Sequence, residues 1–344
     1  MKAIARKVCL SMILSLSVFV STVYAASGTL TYGSPEGNDY FGPWVMHEPG
    51  WDRYLMFLSM NSTVVGGKPS KGKGDNGTYN SACKTDYADR IWVTWHFGDG
   101  VTPAGWGGAD SYGTTGPLLL LSPGGPGENA LIGDPSVVYW QGKWHMYYEG
   151  TSSCDGNNNR IFHATADNWS GPWTKQGELW GLYGDLTGSG LSWPTVMVDN
   201  GQLHLYFTDG SVRLMAATAL DNTGHNFVME NYDNSKPLGM NNPAPVISSL
   251  VNRATVVKAG SVYKMVYDNF GRTEVRVSES ANKFSFAPGS QVLNTVAGTW
   301  QAKHVGLPQL LLDGTSQRIY YTGTFTPTGT NPDDVSSIGY YPLN

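Results

Sequence analysis

Charge is scarce in this sequence. Of 344 residues only 14% are Asp, Glu, Lys or Arg, and the formal balance is −5. A mildly acidic chain does not gather polyanions, so nucleic-acid binding is set aside as a function class. Cysteine is scarcer still, limited to Cys9, Cys83 and Cys154, and the spacing fits no zinc motif. No long stretch carries a helical period, which argues against a mainly helical fold. Beyond the N-terminus no segment is apolar for long enough to span a membrane.

Aromatics, glycine and proline are abundant: 19 Tyr, 12 Trp, 11 Phe, 43 Gly and 19 Pro. Gly and Pro fall between short apolar runs, the pattern of many strands joined by turns, and the length suits one large all-β domain. The N-terminus stands apart from it. Lys2, Arg6 and Lys7 precede an apolar run from Val8 to Val20, and Val23-Tyr24-Ala25 offers a small-residue cleavage site. Residues 1–25 therefore read as a secretory signal and residues 26–344 as the mature domain, secreted or periplasmic and without a membrane anchor once the signal is removed. Cys9 leaves with the signal. The mature chain keeps Cys83 and Cys154, and in an oxidising compartment two such cysteines are expected to pair.

The stretch from Gly133 to Gly150, GDPSVVYWQGKWHMYYEG, organises the rest. β-branched and aromatic residues flank Gln141-Gly142, which predicts a hairpin with a two-residue turn. Asp134 and Glu149 bracket it and fall at the same sheet edge. The opening of this unit recurs at Gly42-Pro43, Asp134-Pro135, Trp193-Pro194, Arg253-Ala254 and Leu307-Pro308, with later copies roughly 55–60 residues apart. Each copy continues with a turn, an aromatic strand and a further strand, so the expected fold is a five-bladed β-propeller. Near-continuous apolar runs such as VVYW and HMYY suit blades packed on both faces. Polar insertions are expected at Asn61 to Lys84 and Gly98 to Gly116. Ser152 to Arg160 lacks the glycine and distal Glu of a calcium loop and reads as a polar turn.

The Asp134-Pro135 opening, the following YWQGKWHMYYEG, and ADNWSGPW from Ala166 to Trp173 resemble the five-bladed propeller glycoside hydrolases, in particular family 43 and the invertase–levansucrase group. The resemblance implies a carbohydrate ligand in a central funnel. It also implies three carboxylates: an Asp base or nucleophile in the first blade, an Asp in a second-blade DP motif, and a Glu general acid in the third blade. Only the second is matched, by Asp134. Gly42 stands at the first position, with Asp39 three residues earlier, and Ser192-Trp193 stand where the third-blade Glu would be. Some relatives hold a central calcium with a fifth-blade His; His304 falls near that place, but the surrounding glycine motif differs, so no cofactor or metal is assigned.

Strand direction places Asp134, Glu149, Asp209 and Asp268 on one face, with Arg160, Arg213 and Arg272 nearby. Asp134, Glu149 and Asp209 are the candidate catalytic carboxylates. Asp39, Trp44, Trp193, Arg213, Arg253, Asp268 and His304 are the candidate ligand contacts, since flat rings stack on sugars and a charged Arg seldom faces a closed core. Each has a plainer alternative. Asp134 before Pro135 also suits a turn, Glu149 and Asp209 suit ion pairs with Arg160 and Arg213, and Trp44 and Trp193 suit packing between blades. His145, mid-strand among aromatics, reads as structural. Two functions follow: a glycoside hydrolase on a poly- or oligosaccharide, or a monomeric propeller that binds carbohydrate without cleaving it.

Cys83 and Cys154 precede the third strands of neighbouring blades, where equivalent loops lie close, and are expected to form a disulfide worth roughly 4 kcal/mol on the chain-entropy model. Non-reducing peptide mapping of the exported protein should recover the Cys83–Cys154 linked peptide; two free thiols would refute the pairing.

Overall fold

The computed structural model describes residues 29–32, 39–65, 68–70, 88–102, 106, 117–232, 235, 243–325 and 335–343. The expected signal, Cys83, and most of the two long polar insertions lie outside the described residues. Cys154 is disulfide-bonded. Among the described residues no helix is long and apolar enough to cross a membrane.

Five antiparallel sheets form a five-bladed β-propeller. The first blade holds β2 (Asp39–His47), β3 (Arg53–Val65), β5 (Ala88–Phe97) and β6 (Leu118–Leu121), with β4 (Lys68–Ser70) paired to β3. The second holds β7 (Leu131–Trp140), β8 (Lys143–Thr151), β9 (Arg160–Ala166) and β10 (Thr174–Glu178). The third holds β11 (Ser192–Asp199), β12 (Gln202–Thr208), β13 (Leu214–Ala219) and β14 (Phe227–Met229). The fourth holds β15 (Val251–Ala259), β16 (Val262–Asn269), β17 (Glu274–Ser280) and β18 (Ser290–Asn294). The fifth runs β19 (His304–Asp313), β20 (Ser316–Phe325) and β21 (Val335–Pro342). Its outer strand is β1 (Thr29–Tyr32), from the other end of the chain. Joining the two ends in one sheet closes the ring and removes an exposed edge. β3 runs on to Val65, beyond the point where the sequence suggests a polar loop.

The second-blade hairpin has the expected turn: Trp140 pairs with Lys143 across Gln141 and Gly142, both at positive φ (52° and 79°). This left-handed pair matches strand twist, which is why a glycine ends it. The aromatic strands place one ring per blade at the same register. Phe57, Tyr147, Tyr206, Tyr267 and Tyr320 lie opposite Trp44, Ser136, Thr195, Ala254 and Gln309, and all are buried. Removing one such ring from water is worth about 1.5–3 kcal/mol. Their hydroxyls also reach outward: Tyr147 donates to Gly224 O, Tyr206 to Lys283 O and Tyr320 to Gly100 O, each in the next blade. His145 is structural, as expected, buried with its Nδ1 3.0 Å from His163 Nε2.

Every innermost strand carries a β-bulge at the repeated motif. Register slips between Phe41 and Trp44, Gly133 and Ser136, Ser192 and Thr195, Val251 and Ala254, and Gly306 and Gln309. The first bulged residue is left-handed in four blades: Gly42 (φ 59°), Asp134 (49°), Trp193 (52°) and Leu307 (51°), each followed by proline. The equivalent residue in the fourth blade is Asn252. The sequence alignment of Arg253 with Asp134 is therefore one residue out of step, because this blade lacks the proline that marks the others. Arg253 occupies the proline's place.

Hydrogen bonds then link the innermost strands into a closed circle. Trp44 Nε1 donates to Val137 O (2.7 Å), Val196 N–H to Ser136 Oγ (2.8 Å), Thr195 Oγ1 to Ala254 O (2.6 Å), Thr255 Oγ1 to Pro308 O (2.9 Å) and Val45 N–H to Gln309 Oε1 (3.2 Å). Beyond the bulges the axis widens into a cavity of about 310 Å³ lined by Val137, Val196, Val256 and Leu310 among others. Ser136→Ala should leave a buried N–H of Val196 without a partner and cost about 1–3 kcal/mol. Chemical denaturation measures this, and an unchanged midpoint would show that the circle contributes nothing there.

Candidate active site

The bulges set the site. A non-glycine residue held left-handed before proline is strained by about 1–3 kcal/mol. In each blade the second strand of the preceding blade supplies a side chain that holds the bulge. Asp134 N–H donates to Ser59 Oγ (2.6 Å), Trp193 N–H to Glu149 Oε2 (3.0 Å), Leu307 N–H to Asp268 Oδ2 (3.0 Å) and Gly42 N–H to Thr322 Oγ1 (3.1 Å). Thr208 Oγ1 donates to Asn252 O in the fourth blade. Serine or threonine suffices for this task in three of the five places. Glu149 spends one oxygen on it and has another to spare.

That spare capacity meets Asp134. The two carboxyls act on each other: the charge of Asp134 raises the pKa of Glu149, and Glu149 in turn lowers that of Asp134. Burial raises the pKa of Asp134, against the opposing pull of Arg253 and Arg272. Burial first, and then the charge of Asp134, push Glu149 up to about 8, against the Trp193 N–H and Arg272. Asp134 is 3% exposed, with Oδ1 3.6 Å from Arg253 Nη1. Glu149 is half-buried and Arg253 fully buried. Arg253 Nη2 donates to Pro135 O (3.2 Å), while its Nε and Nη1 and Asp134 Oδ1 have no hydrogen-bond partner.

Gly42 completes this corner. At φ 59°, a Cβ there would run into Asp134 Oδ1 and lie 3.2 Å from Arg253 Nη1. No side chain fits the first-blade position at which the resemblance implies a carboxylate, because the Asp134 carboxylate fills it.

The remaining expected residues divide. Trp193 is half-buried at the bulge, with the Arg272 guanidinium 5.4 Å from its ring centroid. His304 opens β19 at the same end and is half-buried. Asp39 opens β2, and its side chain lies outside the described residues. Trp44 is a correction: it is 6% exposed and its indole is committed to the second blade, so it packs between blades. Asp209, fully buried, is also a correction. Arg213 Nε (3.0 Å) and Nη2 and the N–H groups of Asp185, Ser211 and Arg213 hold it, leaving no face for chemistry. Arg213 is correspondingly engaged. Asp268, likewise fully buried, accepts from Arg253 N–H (2.7 Å) and Leu307 N–H, which makes it a brace for two bulges and not a ligand contact.

Two residues escaped the sequence reading. Arg272 was placed near the face but given no role, and it acts electrostatically on Asp134, Glu149 and Asp268. Asp89, at the start of the first blade's third strand, raises the pKa of Glu149. The rule that third strands begin at the funnel would have found it. The central metal of some relatives does not fit: among the described residues no cluster of three His, Cys, Asp or Glu could hold an ion, and Arg253 lies at the innermost strands. No step is routed through a metal.

Solved structures similar to this chain in fold include glycoside hydrolases. One is a family 117 enzyme from the marine bacterium Zobellia galactanivorans, 19% identical, aligned over 92% of this chain and 89% of its own with a TM-score of 0.60. Another is a family 43 β-xylosidase/α-arabinofuranosidase from a compost microbial metagenome, in complex with xylotriose (13% identical, 92% and 95% covered, TM-score 0.60). A third is a family 43 enzyme from Xanthomonas citri complexed with xylose (14% identical, 92% and 90% covered, TM-score 0.59). No protein-family model and no curated protein matches the chain.

Glu149 generates a stability test. Its folded pKa of about 8 exceeds its ordinary 4.5, so the folded chain keeps a proton that the unfolded chain releases in between. Its contribution is full below 4.5 and is lost as pH rises through about 8. Buried His145 and His204, lowered to about 4, act in the opposite sense as pH rises from 4 to 6.5, so the comparison must isolate Glu149. The wild type should lose melting temperature relative to Glu149→Gln as pH rises from 4.5 to 8. A pH-independent difference would rule out the retained proton.

Proposed function

We propose that this chain is an exported, carbohydrate-active propeller that hydrolyses a glycosidic bond, with Glu149 as proton donor and Asp134 as the carboxylate that holds the proton in place. The observation that carries the proposal is the Asp134–Glu149 pair, two buried or half-buried carboxyls beside Arg253 at the bulges of neighbouring blades, in a fold whose solved neighbours include glycoside hydrolases, some of them complexed with sugars. A carboxyl still protonated near neutral pH is what general acid catalysis requires. When Glu149 passes its proton to the leaving oxygen, two anions are left side by side. Arg253 and Arg272, already acting on both carboxyls, offset that charge.

The pair acts as one unit. It is read as one proton-donating unit and not as the two carboxyls that flank a glycosidic bond, which stand about 5–5.5 Å apart for retention or 6.5–9.5 Å for inversion. Water activation falls to a different group, and the first-blade carboxylates Asp39 and Asp89 are the candidates. The leader-like residues 1–25 and the disulfide at Cys154 support export to an oxidising compartment, where polysaccharide is the natural substrate class.

A second reading, binding without cleavage, is favoured by Gly42 and by the structural commitment of Asp209 and Asp268. A panel of polysaccharides, assayed for new reducing ends and separately for binding, decides between the two. Hydrolysis should decline on the alkaline side near pH 8, in step with Glu149, and Glu149→Gln and Asp134→Asn should each lower turnover by at least about 10²-fold. Retention without cleavage establishes the binding reading, and neither retention nor cleavage overturns both.

A further inference from the structure

Beside the acid pair lies a half-buried cation, Arg272. Arg272 sits in the connection between β16 and β17 at φ 50°. Its backbone is fixed at both ends, N–H to Asn269 O (2.9 Å) and carbonyl from Val305 N–H (2.7 Å). Its stem runs close over Gly306, where an added Cβ would lie 3.3 Å from Arg272 Cβ and Cγ. The guanidinium then lies over the Trp193 ring. A guanidinium held over an aromatic face can still offer its N–H groups to a ligand.

Among the described residues those N–H groups have no hydrogen-bond partner. Every other arginine at this face is engaged: Arg213 with Asp209, Arg160 with Glu178 and two carbonyls, and Arg253 with Pro135 O beside Asp134. Arg272 is half-buried, and among the described residues its guanidinium makes no ion pair within 4 Å and no hydrogen bond; it lies over Trp193, and its charge acts on Asp134, Glu149 and Asp268. Asp268 and Asp134, which feel its charge, are buried, only 0% and 3% exposed. Glu149 is half-buried and pushed up to about 8, chiefly by burial and by the charge of Asp134. A ligand entering here meets a neutral acid, an indole and a positive charge, on a chain that is otherwise acidic.

We propose that the Arg272–Trp193 pair is a subsite for an anionic sugar, so that the ligand carries a carboxylate or sulfate beside the bond presented to Glu149. The inference rests on the carbohydrate reading above and narrows it. A planar guanidinium matches either oxyanion through two parallel N–H groups, and aromatic stacking fixes its plane in advance of binding. Charged attraction of this kind is local, since the net charge of the chain repels polyanions at a distance. It should therefore weaken with salt more than binding of a neutral sugar does.

Isothermal titration of the full mature protein with neutral, uronate-containing and sulfated oligosaccharides of matched length tests this. An acidic series should bind more tightly than the neutral one, and the better of the uronate and sulfate arms names the anion. Arg272→Gln should weaken the acidic ligand by at least about tenfold more than it weakens the neutral one, with Arg272→Lys in between; an equal loss for both would show that no anion is held there. Neutral oligosaccharides binding as well as or better than both acidic series would overturn the anionic subsite and leave the carbohydrate reading standing. No binding in any series would remove that reading and the subsite with it. The wild-type ranking decides the matter even where a variant does not fold.

Discussion

The structure depends on how five strained bulges are held. A propeller closes only if its innermost strands meet around the axis, yet adjacent blades share no sheet ladder there. This chain bulges each innermost strand at the axial end and ties the bulge to a side chain of the preceding blade. A second circle of side-chain-to-backbone bonds lies just beyond. Both circles require polar residues in a region that is otherwise apolar. Ser59, Ser136, Thr195, Thr208, Thr255, Gln309 and Thr322 are all buried, and each is satisfied by a backbone partner across a blade boundary. An unmade bond at any of these would cost more than the bond itself returns, so the circles fix which blade neighbours which.

The candidate site grows out of the same constraint. Where a hydroxyl would hold the third-blade bulge, the chain has a glutamate, and its spare oxygen capacity turns toward the aspartate that opens the second blade. Burial raises both carboxyls, and the charge of Asp134 raises Glu149 further, to about 8, which favours a proton on Glu149 at neutral pH. Gly42 belongs to the same arrangement, since the Asp134 carboxylate occupies the space its side chain would need. The carboxylate layout implied by the resemblance therefore does not carry over to the first blade. The candidate site is one acid unit, backed by two arginines of which Arg253 is fully buried and Arg272 half-buried.

Much of this was legible in the sequence. The Gln141-Gly142 turn and the X-Pro marker gave the blade count, since a left-handed residue before proline is an unusual requirement that recurs at blade spacing. Asp134 and Glu149 followed from hairpin geometry alone. The fourth blade was misaligned by one residue because Asn252-Arg253 lacks the proline, and a conspicuous charge was taken for the marker. The closing strand Thr29–Tyr32 carries no marker at all; only the unpaired edge of β21 calls for it. Asp209 and Asp268 look like Asp134 on paper. What separates them is the number of N–H groups each meets, and that is a property of the folded loops between blades. Trp44 was misplaced for a related reason: its indole N–H found a carbonyl in the next blade, which no local pattern announces.

The central claim is that Glu149 and Asp134 hold one proton between them at neutral pH. Infrared difference spectroscopy of wild type against Glu149→Gln, read in the carboxylic-acid C=O stretching region, tests this directly. The account predicts a protonated-carboxyl band at neutral pH in the wild type that is absent from the variant and fades as the pH is raised through about 8. A wild-type spectrum with no such band at neutral pH would mean that both carboxyls are ionised, and the proton donor assigned here would not exist.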